Sequence, residues 1–408
     1  MNSHNYILVK SRILRSVQDI LARRPMASDK EVIGVIENAI LEDCDSDKLS
    51  GQVKGRLRKE LFNRIRRMDV LTELLEDDSV TEIMVNGPDS IFVERKGRLM
   101  DSGLTFESKE RLFDIAGQIA SNVNRTVNTS SPILDARLED GSRANIVLDP
   151  VALNGPILTI RRFPKRPVDA NSLLESGSLN REVLDFLSRL VEAKYNILIS
   201  GGTGSGKTTL LNIMSSFIPK DERIITIEDS AEIRIMGVDN LVRLETRNNT
   251  SNGCKEISIR DLIKTALRMR PDRIIVGEVR GAEAIDMLQA FSVGQDGSLS
   301  TIHANHAEDA LYRLETMIML STQIPLAALR RQISSGVDII VQLGRLRDKS
   351  RHLLEIREVI GISNNEIETS LLYTFREDYM EKGIIMGDLI KVNDLVHKEK
   401  LQICGIDL

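Results

Sequence analysis

The stretch "NILISGGTGSGKTTLLNIM", residues 196–214, decides the fold of this chain of 408 residues. Its centre, from Gly201 to Thr209, fits the phosphate-binding pattern G-x-x-x-x-G-K-[ST]. An apolar run of strand length precedes the pattern, and an apolar helical segment follows it, as that pattern requires. We therefore predict a buried strand, a phosphate-binding loop and a helix that begins at the end of the loop.

Each residue type in this loop suits the binding of phosphate groups and Mg²⁺. Phosphate oxygens need backbone N–H groups at close range, so glycines remove side chains, and the N-terminus of the following helix adds the positive end of its dipole. The lysine is expected to reach the β- and γ-phosphates, and the hydroxyl of Thr208 to bind Mg²⁺, which prefers hard oxygen ligands. The residues predicted to bind the nucleotide are Gly201, Gly202, Thr203, Gly204, Ser205, Gly206, Lys207, Thr208 and Thr209.

Composition narrows the class of protein. Hydrophobic residues make up 41% of the chain, enough for real cores, and no apolar run approaches the roughly 18 residues of a membrane span. The chain does not open with a signal peptide, so we expect a cytosolic protein. Its three cysteines lack CxxC spacing, which argues against a disulfide framework or a zinc ribbon. A net charge of −5 and 3% aromatic residues argue weakly against a dedicated nucleic-acid binder.

Acidic residues follow two other apolar runs. "DRIIVGE" ends in Glu278, and "RIITIED" ends in Glu228 and Asp229. Apolar runs that alternate with helical segments indicate a buried parallel sheet, and ligands of such sheets bind beyond the carboxyl ends of the strands. Exposed acids at strand ends are common, but two of them beside a phosphate-binding loop favour catalysis.

The rest of the chain divides into segments that differ in their predicted secondary structure. Residues 1–70 predict a helical module, in which Val53, Leu57, Leu61 and Ile65 form one face of a helix. Its basic residues are most simply a solvated helix face.

Residues 71–163 predict a small α+β domain. Strands are expected at "VTEIMVNG" and "ILTIRR", hairpins at "IFVERKGRLM" with a Lys96-Gly97 turn and at "ILDARLEDGSRANIVL" with an Asp140-Gly141 turn, and a helix at about 106–124. Two prolines mark a linker at 164–175. The α/β domain that carries the phosphate-binding loop is predicted to occupy 176–408, including a C-terminal subdomain.

Four segments in order give a family resemblance. They are "SGGTGSGKTTLLN" as Walker A, "TIEDSAEI" as the Asp box, "RMRPDRIIVGEVRG" as an atypical Walker B and "GSLSTIHANHAEDAL" as the His box. With these motifs the chain resembles the type II/IV secretion ATPase superfamily, and within it the CpaF-type motor of tight-adherence (Tad) pili. The resemblance covers about residues 71–345.

The resemblance implies a fold and a function. The fold is a RecA-like P-loop NTPase domain with a smaller PAS-like α+β domain at 71–163 and a helical N-terminal extension. The function is that of a homohexameric ATPase that binds ATP and Mg²⁺ between its two domains and powers pilus assembly, retraction or secretion. Its partners would be platform proteins of the inner membrane, which would hold this cytoplasmic protein at the membrane, and no direct nucleic-acid contact is expected.

Roles for single residues also come from the resemblance. Lys207 and Thr208 take the Walker A roles, and Glu278 is the catalytic glutamate. Glu228 is the Asp-box acid near metal and water, so Thr208 and Glu228 are the expected Mg²⁺ ligands. His303 is the His-box residue that contacts the γ-phosphate side.

Arginines complete the expected site. The family uses arginines of its N-terminal domain to contact the γ-phosphate, and the matching positions are Arg143 and Arg161. Because Arg162 directly follows Arg161, either of the two could be the second phosphate-contacting arginine. Such forks add positive charge to the transition state when the domains close. Arg280 is either an anchor for Glu278 or a structural ion-pair partner.

Two other functions remain open from the sequence. The first is a RecA-like motor that acts on nucleic acid, such as a helicase or DNA-packaging pump. Such motors also use a phosphate-binding loop and assemble as rings, so the fold does not separate them from secretion motors. The second is a scaffold that senses nucleotide without hydrolysing it. The acidic balance and the His box count against the first, and intact Lys207, Thr208 and Glu278 count against the second.

The segment "STIHANH", residues 300–306, contains two histidines with different expectations. A zinc site is disfavoured because two histidines with no nearby cysteine offer too few ligands. His303 is expected at a strand end that faces the phosphates. Asn305 or His306 is expected to cap the helix that starts at "AEDALYRLETM".

Overall fold

A computed structural model describes residues 3–45, 48–95, 97–163, 168–247, 255–292 and 294–407. The chain divides into two compact units, Met1–Lys165 and Arg166–Leu408. Of the predicted linker at 164–175, residues 164–167 lie outside the described residues, and the rest includes a short helix rather than extended chain. No helix of the described residues is long and apolar enough to cross a membrane.

Helices open the first unit. Ser28 begins the second helix with a capping box, in which its hydroxyl accepts the N–H of Glu31 and the Glu31 carboxylate accepts the N–H of Ser28. The first three helices bury a shared apolar cluster that includes Leu57 and Leu61, the centre of the face predicted from the sequence, and the fourth packs against the sheet described next. Their bounds are α1 Ser3–Ala22, α2 Asp29–Glu42, α3 Gly51–Arg66 and α4 Leu71–Glu76.

An antiparallel sheet with one helix against it forms the rest of the first unit. Strand order is β3-β2-β1-β6-β5-β4, and both predicted hairpins are present, although Lys96 of the first turn lies outside the described residues. The α5 helix packs its apolar face on the sheet, which gives the predicted α+β arrangement. The bounds are β1 Val80–Asn86, β2 Ile91–Arg95, β3 Arg98–Asp101, α5 Lys109–Asn122, β4 Ile133–Arg137, β5 Arg143–Val147 and β6 Ile157–Arg161.

The second unit is built on a mixed nine-stranded sheet in the order β15-β14-β13-β12-β7-β11-β10-β8-β9. Strands β12 to β9 of this order run parallel, and β13 to β15 add an antiparallel edge. Its elements are α6 Ala170–Glu175, α7 Arg181–Glu192, β7 Ile197–Gly201, α8 Lys207–Ser215, β8 Ile224–Glu228, β9 Leu241–Glu245, α9 Ile259–Ala266, β10 Arg273–Val279, α10 Glu283–Ser292, β11 Leu299–Ile302, α11 Ala307–Ser321, α12 Leu326–Gly336, β12 Ile339–Arg345, β13 Arg351–Ser363, β14 Glu366–Glu381, β15 Ile384–Lys391 and α13 Glu399–Cys404.

Apolar packing on both faces explains why the central strands read as continuous apolar runs. Along β7, Ile197 and Ile199 join a core cluster with α7 and α8, whereas Leu198 joins the opposite cluster with α9 to α12. A parallel strand buried on both faces has no polar side to show in its sequence. The sheet order then brings the carboxyl ends of β7, β11, β10 and β8 side by side, and the candidate site lies there.

Candidate nucleotide site

The phosphate-binding loop connects β7 to α8 and depends on glycine for its path. A Cβ atom on Gly201 would lie 2.6 Å from both the Leu343 carbonyl oxygen and Ser205 Oγ, which no side chain tolerates. Gly206 has φ +103°, in the left-handed region, immediately before the first residue of α8. The loop therefore holds its backbone close to the N-terminus of α8, where an anion is favoured.

Lys207 lies inside the loop, with only 7% of its surface exposed. Its ammonium group donates to the carbonyl oxygens of Gly201 at 3.0 Å and Gly202 at 3.1 Å. It also lies 3.2 Å from Nδ1 of His303. Because an ammonium group can only donate, Nδ1 is the acceptor and the ring hydrogen is on Nε2.

His303 and Arg280 both contact Glu278. His303 Nε2 lies 2.7 Å from Glu278 Oε1, which is buried without a hydrogen-bond partner among the described residues, and the other carboxylate oxygen accepts from Arg280 Nε at 2.7 Å. Burial and the neighbouring Lys207 lower the pKa of His303, against the opposing effect of Glu278, so the ring is neutral at pH 7. A continuous polar chain, Lys207–His303–Glu278–Arg280, thus runs from the loop across β11 to β10.

Glu228 ends β8, next to β10, and is 4% exposed. Its Oε2 atom accepts the N–H groups of Glu232 at 2.7 Å and Ile233 at 2.8 Å, whereas Oε1 is buried without a hydrogen-bond partner. Burial raises the pKa of Glu228 to about 7, partly offset by those two N–H groups. A Cβ on Gly277 would come within 3.1 Å of Glu228 Cγ, so glycine leaves room for this carboxyl.

The donor set at this end of the sheet fits Mg²⁺. An orphaned buried carboxyl oxygen on Glu228 and the half-buried hydroxyl of Thr208 at the start of α8 are both hard oxygen ligands. Asp229 follows Glu228 and lies 3.9 Å from Arg280 Nη1, so it adds negative charge on the same side. Glu228 and Thr208 would hold the ion.

The two predicted arginines of the α+β region belong to the first unit. Arg143 on β5 and Arg161 on β6 are direct register partners. The Arg161 side chain is 52% exposed, with Nε 3.8 Å from Glu82, but that of Arg162 is 7% exposed and donates to the carbonyl oxygens of Asp77 and Val80. Arg162 is therefore committed to the fold of this unit, and Arg161 is the freer guanidinium.

His306 occupies the N-cap position of α11, directly before the helix start predicted from the sequence, but its side chain makes no cap hydrogen bond, so the capping prediction is wrong for His306. The exposed imidazole is replaced in this role by a residue that is distant in sequence. Glu355 on β13 accepts the N–H of Ala307 at 3.2 Å and places a negative charge at the start of the helix.

Gln342 on β12 contacts the site but carries no sequence signal. It is 2% exposed, and its amide donates to the carbonyl oxygens of Asn305 at 3.0 Å and Ala304 at 3.4 Å, directly after His303. No local motif marks Gln342, because its partners come from a segment almost forty residues earlier in the chain. We assign it a positioning role for the His303 segment.

A strand, a glycine loop with a buried lysine, and acids on neighbouring strands define a RecA-like P-loop protein within the α/β class predicted from the sequence. Comparison with protein families extends this result. The chain belongs to the family described as type II/IV secretion system protein, whose model matches residues 66–374.

Individual relatives agree with that family. Conjugal transfer protein TrbB of Rhizobium radiobacter is 32% identical over 314 residues, 76% of this chain and 93% of that protein. Type IV secretion system protein PtlH of Bordetella pertussis is 35% identical over 305 residues, 68% of this chain and 89% of that protein. The crystal structure of the pilus retraction motor PilT with bound ADP shares the fold, with a TM-score of 0.51, 20% identity, and coverage of 82% of this chain and 87% of that chain.

Proposed function

We propose that this protein hydrolyses ATP and uses the cycle to drive a secretion or pilus machine. The observation that carries the proposal is the chain from Lys207 through His303 to Glu278 and Arg280, because it places a carboxylate beside the ammonium group of the loop. Arg280 holds one oxygen of this carboxylate by a hydrogen bond, and His303 lies 2.7 Å from the other. A binding module without hydrolysis would not need that carboxylate.

In the proposed reaction, water attacks the γ-phosphorus and the bond from that phosphorus to the bridging oxygen of ADP breaks. Glu278 accepts the proton of the attacking water, and the electron pair leaves on ADP. Lys207 stabilises the charge on the phosphates, and Mg²⁺ when bound adds neutralising charge there. His303, neutral and 2.7 Å from Glu278 Oε1, contacts both that carboxylate and the loop lysine.

The larger assembly is also part of the proposal. The names of TrbB and PtlH refer to conjugal transfer and type IV secretion, and the motif set resembles CpaF-type Tad pilus motors. We infer a homohexamer with a PAS-like N-terminal domain, located on the cytoplasmic side of the inner membrane and attached there by platform proteins. Arg143 and Arg161 would act on the γ-phosphate when the domains close.

Two substitutions in the full chain test the enzymatic proposal. Lys207→Ala should weaken Mg-ATP binding roughly 10- to 100-fold, because a charge-assisted contact to phosphate is lost. Glu278→Gln should retain binding while phosphate release falls roughly 10²- to 10⁴-fold, because the proton acceptor is gone. Binding is measured by calorimetry and phosphate release by a coupled assay, with Glu175→Gln on the exposed face of α6 as the control.

Wild-type rates in Lys207→Ala, or lost ATP binding in Glu278→Gln, would contradict the assigned roles. The same assay with single- and double-stranded DNA separates the secretion motor from a nucleic-acid motor, since only the latter is expected to be stimulated strongly. Native mass spectrometry with Mg-ATP tests the ring, and a species of six copies is expected.

A further inference from the structure

A cavity of about 440 Å³ opens next to the phosphate-binding loop. One wall consists of Gly202 and Thr203, at the start of the loop, together with His303. The rest of the lining comes from the residues just after His303 and from the part of α11 between Asp309 and Thr316. Because His303 contacts the ammonium of Lys207, this cavity adjoins the end of the site where the outermost phosphate is expected, rather than the base or the ribose.

Arg313 provides positive charge on the α11 wall. It is exposed, lines the cavity, and has no hydrogen-bond or ion-pair partner in the described part of the chain. Burial and Lys207 lower the pKa of His303, and the charge of Arg313 adds to that effect, so the two side chains are electrostatic neighbours. A guanidinium fork with no carboxylate partner suits a tetrahedral oxyanion, which it binds through parallel N–H bonds.

Two hydroxyl groups accompany this guanidinium. Tyr312 and Thr316, on the same stretch of α11, line the cavity and are exposed. The Tyr312 hydroxyl can donate to a phosphate oxygen, whereas Thr316 Oγ1 donates to the Tyr312 carbonyl oxygen at 2.9 Å and adds only polar lining. The volume accepts a phosphate ion with several waters, since each water needs roughly 30 Å³.

We propose that this cavity binds inorganic phosphate after it has separated from ADP, with Arg313 as the principal ligand. The inference rests on the proposed ATPase function and adds a separate product site to it. Phosphate would leave the loop past His303 and enter the cavity while ADP stays bound. Arg313 then acts on the release of product and not on the binding of ADP.

Asp309 allows a test in which phosphate binding should become tighter rather than weaker. This acid lies one helical turn before Arg313, also lines the cavity, and is half-buried. Its charge opposes an anion, so it keeps phosphate affinity low enough for release. Removing the charge with Asp309→Asn is expected to tighten phosphate binding several-fold and to slow turnover through product retention.

The experiment measures inhibition of ATP turnover by added inorganic phosphate and, separately, binding of Mg-ADP. Arg313→Ala should raise the phosphate inhibition constant roughly 10- to 100-fold, with Mg-ADP affinity unchanged. Arg313→Lys should recover part of the effect, because it restores the charge without the fork. Arg331→Ala on α12, an exposed arginine that does not line the cavity, is the control.

The results separate this inference from the ATPase proposal. Unchanged phosphate inhibition in Arg313→Ala, or tighter inhibition in that variant, overturns the phosphate site even when ATP hydrolysis is normal. Equal losses of Mg-ADP and phosphate affinity also overturn it, since Arg313 would then be a nucleotide contact. Absence of ATP hydrolysis in the wild-type chain refutes the ATPase proposal instead. Asp309→Asn is expected to tighten phosphate inhibition, the opposite of Arg313→Ala, so it tests the site even when Arg313→Ala folds poorly.

Discussion

Glu228 is the residue whose environment makes the sharpest prediction about pH. Its pKa is raised from 4.5 to about 7 by burial, so the folded protein retains a proton that the unfolded chain releases between these values. Stability from this group is present below pH 4.5 and is lost as pH rises to 7. At pH 8 the folded protein bears the full cost of a buried charge.

Glu228→Gln should therefore stabilise the nucleotide-free protein at pH 8 but not at pH 4.5, by up to about 3 kcal/mol. The amide oxygen can still accept the N–H groups of Glu232 and Ile233. Urea unfolding at several pH values between 4.5 and 8 measures the difference from wild type, with Glu175→Gln as the exposed control. A difference that does not grow with pH would show that the carboxyl is not destabilised by burial.

The chemistry of single residues explains which parts of the site the sequence predicts. Lys207 stands in a motif because phosphate chemistry fixes both its type and its spacing, and the ends of apolar runs mark Glu278 and His303. The contacts of Arg313 and Gln342 depend on how distant segments meet, and neither residue stands in a local pattern. For His306 the sequence predicted the start of the helix but not the group that caps it. The first N–H of the helix is accepted by Glu355, which lies on a strand distant in sequence.

At the scale of elements, strand β12 links the sheet to the His303 segment. Gln342 occupies a buried position there, with two carbonyl oxygens of that segment as acceptors. Gln342→Met keeps the volume but leaves those acceptors without a buried donor. We expect a loss of about 1–3 kcal/mol in unfolding free energy and a lower kcat with nearly unchanged Mg-ATP affinity.

Gln332→Met on α12 is the matched control, because Gln332 is exposed and the same substitution there removes no buried donor. Steady-state kinetics separate kcat from KM, and urea unfolding gives the stability. A loss of stability with an unchanged kcat would show that Gln342 supports the fold without positioning His303.

Elements also differ in how visible they are from sequence. The central parallel strands are buried on both faces, so their apolar runs identify them. Strand β9 and the antiparallel edge from β13 to β15 were not predicted. Much of β14 is exposed or half-buried, and its sequence "EIETSLLYTFREDYME" mixes polar and apolar residues with no regular alternation. Strand pairing with β13 and β15, rather than burial, determines its conformation.

At the scale of the whole molecule, we propose that the first unit contributes to turnover through Arg161. Arg162 next to it serves the fold, since its buried guanidinium holds the carbonyl oxygens of Asp77 and Val80. The two substitutions should therefore have opposite signatures. Arg161→Ala should lower kcat roughly 10²-fold or more with little change in stability, because a charge on the transferring phosphoryl group is lost.

Arg162→Ala should instead lower the unfolding free energy by about 1–3 kcal/mol, because the carbonyl oxygens of Asp77 and Val80 each lose a hydrogen bond from a buried guanidinium. Arg98→Ala on β3, an exposed arginine of the same unit, controls for the loss of charge alone. Thermal unfolding and phosphate release are measured on the same preparations of the full chain. If Arg161→Ala hydrolyses ATP at the rate of Arg98→Ala, the first unit supplies no arginine through this position, and its contribution to turnover must come from Arg143 or be absent.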